Sequence, residues 1–137
     1  MYERILAAID ESELAGRVLA AAQELAILSG GEVWVIHVRE GDPSRSSSAI
    51  VRSRADAYGM VDAAVRKLGS AGVTAHAEVD FNLCSYAARE IIDAAEAHDV
   101  GVILMGSYGR GDLAALLGGS TAHKVIHMAG RPVIVVP

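Results

Sequence analysis

The sequence predicts an α/β fold, a single domain on a doubly wound, five-stranded parallel sheet with four helices. Three observations carry this. Apolar runs of strand length alternate with longer segments of helical periodicity along all 137 residues, the signature of βαβ units. The run Val33-Trp34-Val35-Ile36-His37-Val38 is almost continuously apolar, as expected of a strand covered on both faces. Glycines stand where helices must stop, at Gly30-Gly31, at Gly69 and Gly72, and at Gly130. Strands of this kind joined by helices make parallel pairs with right-handed crossovers.

Residues 4–9 form the first apolar run and the first strand. Asp10-Glu11-Ser12 breaks it, with Ser12 suited to cap a helix and Glu13 to its first turn. Leu14, Val18, Ala21 or Ala22, Leu25 and Leu28 then recur at helical spacing up to Gly30. Residues 33–38 are the second strand. Residues 39–52 are polar, with Asp42-Pro43 and Ser46-Ser47-Ser48, and read as a mobile loop. Ile50, Ala57, Val61, Ala64 and Leu68 share one face and predict a helix over residues 50–68. Gly59 sits inside it at a cost of ~1 kcal/mol relative to alanine. Residues 74–81 alternate, which suggests an edge strand with one wet face. Ser85 is placed to cap a third helix ending at His98. Residues 100–105, 120–128 and 132–136 supply the fourth strand, the fourth helix and the fifth strand.

One domain spanning residues 1–137 is long enough to bury a core. A net charge of −5 and a pI near 5.4 argue against a nucleic-acid or anionic-membrane surface. Cys84 is the only cysteine, so no internal disulfide can form, and no leader or membrane-length apolar run is seen. A soluble, cytoplasmic protein is expected.

The stretch with the most chemistry is Gly106-Ser107-Tyr108-Gly109-Arg110-Gly111-Asp112, continuing to Gly119-Ser120-Thr121. It opens as the fourth strand ends and closes on a helix start. Glycines let backbone N–H groups turn toward an anion, and a helix start adds unpaired donors and the positive end of its dipole. Phosphate fits this arrangement; a plain tight connection is the other reading. No lysine stands where a P-loop needs one, and the glycines do not match the dinucleotide fingerprint. Asp10, at the end of the first strand, has an ionised carboxylate suited to accept from two ribose hydroxyls, or to act as a turn residue. Arg110 is a candidate phosphate partner, or a solvated arginine pairing with Asp112. Met105 is a candidate packing surface for a nucleotide, or a buried strand-end filler. His37 reads as a satisfied core histidine, His76 and His98 as surface positions. His123 and His127, four apart, read as surface histidines because no third ligand completes a metal set.

The spacing Gly106-x-x-Gly109, nine residues, then Gly119-Ser120 resembles the ATP-binding signature of the universal stress protein family. The flanking Met105-Gly106-Ser107-Tyr108-Gly109-Arg110 and Arg131-Pro132-Val133-Ile134-Val135-Val136 are similar to that family too, as is the first strand ending in Asp10. The likeness covers essentially the whole chain. It implies a Rossmann-like sheet of strand order 3-2-1-4-5, with the Val38 backbone reading an adenine edge. It also implies ribose and phosphate contacts from Asp10, Gly106, Gly109, Gly119, Ser120 and Thr121. ATP with Mg²⁺ on its phosphates, and a homodimer through Val133–Val136, are the implied cofactor and partner. Two departures stand out. Ser85-Tyr86-Ala87 replaces the family's usual Gly-x-Pro-like turn before the third helix, and Asp112 occupies a position commonly glycine.

The leading expectation is a nucleotide-binding regulatory protein, with slow ATP hydrolysis or self-phosphorylation at most. Phosphoryl transfer needs a metal-binding acid, a positioned base and several cations, and only Arg110 and Lys124 are candidate cations here. The main alternative is a family member without nucleotide binding that serves as a dimeric interaction scaffold. A receiver domain phosphorylated on aspartate is remote: it needs a lysine at the carboxyl end of strand five, whereas Arg131 precedes that strand. An adenylating enzyme is disfavoured because Ser29-Gly30-Gly31 ends a helix and lacks the following Asp-Ser.

Overall fold

A computed structural model of the chain describes residues 1–40, 46–82, 87–107 and 121–137. Strands β1 (Arg4–Ala8), β2 (Glu32–Glu40), β3 (Ala75–Asn82), β4 (Val102–Gly106) and β5 (Val133–Val136) alternate with helices α1 (Leu14–Ser29), α2 (Ser47–Ser70), α3 (Ala87–Ala97) and α4 (Thr121–Met128). The sheet is parallel throughout, in the order β3-β2-β1-β4-β5. This is the expected topology, and β3 lies at an edge as its alternation suggested.

Period-two patterning sorts the core into two layers. Ile5 and Ala7 of β1, Val33 and Val35 of β2, and Val102 and Leu104 of β4 face α1 and α2, where Val18, Ala22, Val61 and Leu68 close over them. The alternate residues Leu6, Ile36, Ile103 and Met105 face α3 and α4, against Ala88, Ile91, Ala122 and Val125. A strand buried on both sides has no polar face to show, which is why β2 reads as one apolar run.

Several boundaries differ from expectation, each for a local reason. Leu28 is 82% exposed, although it was expected on the buried face of α1. The buried stripe of that helix runs Leu14, Val18, Ala22, Ala26. Residues two apart on a helix point about 200° apart, so burying Ala26 turns Leu28 outward. The helix ends where Gly30 takes a left-handed φ of 69°, a conformation glycine adopts without penalty. The serine run is not loop. Ser46 caps α2, its hydroxyl accepting from the Ala49 N–H at 3.3 Å, and Ser47 and Ser48 form the first turn. That cap lets α2 begin three residues before the expected start and run on past Gly69 to Ser70.

Candidate functional site

Helices that follow β1 and β4 leave the sheet on opposite faces. α1 packs through Val18 and Ala22 on one layer, α4 through Ala122 and Val125 on the other. β1 and β4 are neighbours, with Ala8 opposite Met105 in register, so the topology of the sheet reverses beyond their carboxyl ends. Such a reversal point is where open α/β sheets hold ligands.

The residues expected there fall into two groups. Asp10, Val38, Met105, Gly106 and Thr121 are brought to this end of the sheet. Gly109, Arg110, Gly119 and Ser120 lie outside the described residues, as do Asp112, Cys84 and Ser85-Tyr86. Asp10 follows β1 by two residues and is half-buried. Its Oδ1 accepts from the Ser12 N–H at 2.8 Å, while the Ser12 hydroxyl accepts from the Leu14 N–H at 3.3 Å. The carboxylate thus organises the turn into α1, as one of its two readings had it. An ionised carboxylate has about four acceptor sites, so one such bond does not exhaust it.

Val38 offers its backbone. The last rung between β1 and β2 runs from the Ile9 N–H to the Ile36 oxygen at 2.9 Å, whereas the Val33 N–H bonds the Thr74 oxygen on the other side. Peptide direction alternates along a strand, so Val38, like Ile36, turns its N–H and C=O toward the β1 side. Met105 is 5% exposed and packs in the layer under α3 and α4, so the filler reading describes its side chain. Gly106 ends β4, and the Ser107 N–H is anchored on the Val136 oxygen at 2.8 Å. Thr121 is the first described residue of α4.

Other titratable residues flank the sheet. In register with Val38 on the edge strand is Asp80, whose carboxyl is pushed up to about 6, first by its hydrogen bond with Glu90, then by desolvation and nearby carboxylates. His37 is 4% exposed, and its Nδ1 donates to the Ile9 carbonyl at 2.8 Å. The expectation of a satisfied core histidine is met at Nδ1, and among the described residues Nε2 has no hydrogen-bond partner. His76 is exposed, as expected, and His98 is half-buried. They stack on either side of Trp34, with centroids 4.9 and 5.0 Å away, and reach Glu32 and Glu78 at 2.9 and 2.7 Å. His123 and His127 are exposed and meet edge to face, 4.5 Å apart.

Arg131 sits at the amino end of β5. Its guanidinium is taken up by the Ala129, Ala95 and Val100 carbonyls at 2.9 to 3.1 Å, which removes it from any receiver-type role at the opposite edge. A polar hollow of about 340 Å³ lined by Arg4, Gly31, Glu32 and Thr74 lies at the amino ends of the strands, away from the reversal point.

Comparison with known proteins agrees with this architecture. The family model of the universal stress protein family matches residues 1–137. The chain belongs to the universal stress protein family. Universal stress protein YxiE of Bacillus subtilis is 30% identical over 150 aligned positions, with 99% of each chain covered. A universal stress protein from Archaeoglobus fulgidus, solved in complex with dAMP, is 27% identical with a TM-score of 0.74, covering 99% of this chain and 98% of its own. Another family structure, solved in complex with cAMP, has a TM-score of 0.78 at 16% identity over 98% of this chain and 96% of that one; at that identity the likeness is one of fold. Among the described residues of this universal stress protein, no helix is long and apolar enough to cross a membrane.

Proposed function

We propose that this universal stress protein binds an adenine nucleotide at the β1/β4 crevice, with ATP as the ligand and Mg²⁺ carried on its phosphates. The observation that carries the reading is the convergence of Asp10, the β1-facing backbone of Val38, the Met105-Gly106 strand end and the start of α4 at one reversal point. A relative of 27% identity solved with dAMP supports the adenine part. In this reading the Asp10 carboxylate accepts from ribose hydroxyls and the Val38 backbone pairs with the base edge. The glycine segment, with Gly106, Gly109, Gly119, Ser120 and Thr121, cradles phosphate through backbone and hydroxyl donors, and Arg110 adds a charge-assisted contact. Backbone donors suit a protein of net charge −5, which has no broad basic surface to offer.

No general base follows from these residues, so the nucleotide serves as a signal: its binding selects one conformation or partner over another. The protein pairs with a second copy along β5. It works in the cytoplasm. The competing reading, a scaffold without nucleotide, draws on Asp112, a carboxylate inside the segment that would hold polyphosphate.

Two measurements separate these readings. Denaturing the purified protein and chromatographing the supernatant should release an adenine nucleotide, or calorimetric titration with ATP–Mg²⁺ should give saturable heat. Gly109→Val should abolish that heat while leaving the circular dichroism unchanged. Neither nucleotide nor heat from the wild-type protein would favour the scaffold, and a folded Gly109→Val protein that still binds would reject the phosphate segment.

A further inference from the structure

We infer that His37 is the positioning residue for Asp10, acting through the Ile9 carbonyl; for nucleotide affinity this rests on the reading proposed above. Asp10 stands just beyond the end of β1, where the ladder to β2 runs out. The Ile9 N–H makes the last rung, to the Ile36 oxygen at 2.9 Å. Continuing the parallel pattern, the Ile9 oxygen would meet a main-chain donor of β2. Here the imidazole Nδ1–H of His37 holds it instead, at 2.8 Å. Both polar groups of Ile9 are thereby fixed to β2, one by main chain and one by a side chain.

The consequence for Asp10 is geometric. The Ile9 carbonyl and the Asp10 nitrogen share one rigid peptide plane. Fixing the oxygen orients that plane, and with it the axis about which the Asp10 Cα is placed. The carboxylate is tied at its other side by the Ser12 N–H at 2.8 Å. Asp10 is therefore clamped between a buried imidazole and the first turn of the chain leading to α1. Burial strengthens the clamp. His37 and Ile9 are 4% and 6% exposed, so water does not readily replace the imidazole.

Nε2 has no partner among the described residues. What the imidazole supplies that an aliphatic side chain does not is the Nδ1–H to Ile9.

The side-chain nitrogen of asparagine is attached to Cγ, as is Nδ1 of histidine, so His37→Asn retains a donor near the Ile9 oxygen and His37→Leu does not. The two variants are to be compared with the wild type by the amide spectrum without nucleotide and by calorimetric titration with ATP–Mg²⁺. In His37→Leu the Ser12 amide proton should move upfield, as its bond to Asp10 loosens, and affinity should fall about three- to tenfold, the worth of one hydrogen bond. His37→Asn should restore both. A folded Leu variant with the wild-type Ser12 resonance, or an Asn variant no better than Leu, would overturn the assignment. Should the wild type bind no nucleotide, the proposed ligand has failed, and the Ser12 resonance still decides the role of His37. Should His37→Leu not fold, nitrogen shifts of the wild-type imidazole decide: a slowly exchanging Nδ1–H supports the clamp, and an Nε2–H tautomer excludes it.

Discussion

Asp80 on β3 and Glu90 in the first turn of α3 are two carboxyl groups that share a proton. Their hydrogen bond is the largest reason that Asp80 rises from the ordinary 3.8 to about 6, with desolvation and the charges of Glu90, Glu78 and Asp93 adding to it. The sign of the effect on stability follows from proton linkage. Between these two values the folded protein holds a proton that the unfolded chain has released, so stability is greatest below 3.8 and falls as pH rises through about 6. At neutral pH the carboxylates repel across the gap between β3 and α3. Asp80→Asn places an uncharged N–H donor against Glu90 and removes the titration. We expect urea midpoints of the wild type to decline across this window and those of Asp80→Asn to stay flatter, with the variant the more stable at neutral pH. Parallel curves for the two proteins would show that the shared proton is absent. Because Asp80 is in register with Val38, the same pair lies beside the backbone proposed to meet the base.

At the scale of elements, α2 offers a test from both its start and its middle. Ser46 satisfies the Ala49 N–H, one of the donors a helix start leaves unpaired. Ser46→Ala should lower stability by about 1 kcal/mol. Gly59 lies inside the helix, and a Cβ built there meets nothing within 4 Å. Gly59→Ala should raise stability by up to ~1 kcal/mol. Thermal denaturation of the two single variants and the double variant checks both, and the effects should add because the sites are more than three turns apart. Ser46 also shows where sequence reading stopped. The strands and their parallel arrangement were legible because continuous apolar runs and helical spacing are set by burial, which leaves a periodic record. A cap is a single hydrogen bond. Three serines in a polar stretch serve a loop as well as a helix start, and the positions of Ile50, Ala57, Val61, Ala64 and Leu68 marked only the helix beyond. That Asp10, Val38, Met105, Gly106 and Thr121 share one end of the sheet was legible because strand ends and glycines mark it. The bond from His37 to Ile9 was not, since it joins residues 28 apart through a side chain that alternation alone places in the core.

For the molecule as a whole the open question is its edge. The Ile103 N–H reaches the Pro132 oxygen at 3.0 Å, and the Ser107 N–H reaches the Val136 oxygen at 2.8 Å. The even-numbered peptides of β5 are therefore spent on β4, and alternation turns the N–H and C=O groups of Val133 and Val135 to the outer edge of the sheet. A row of main-chain groups at an edge is a template for another strand. The proposed homodimer would use it: two copies of Val133–Val136 related by a two-fold axis pair antiparallel, each satisfying the other. Val135→Pro deletes one outward donor and leaves the bonds to β4 in place, a substitution edge strands tolerate. Sedimentation velocity should show the wild type as a dimer and Val135→Pro as a folded monomer. A dimer that survives the proline would move the interface to another surface, and a monomeric wild type would remove it. The crevice between β1 and β4 lies one strand in from this edge, and Gly106 pairs in register with Val136. Ordering the strand end that carries Gly106 therefore orders the edge as well, so ATP–Mg²⁺ should tighten the dimer, lowering its dissociation constant in the same sedimentation experiment.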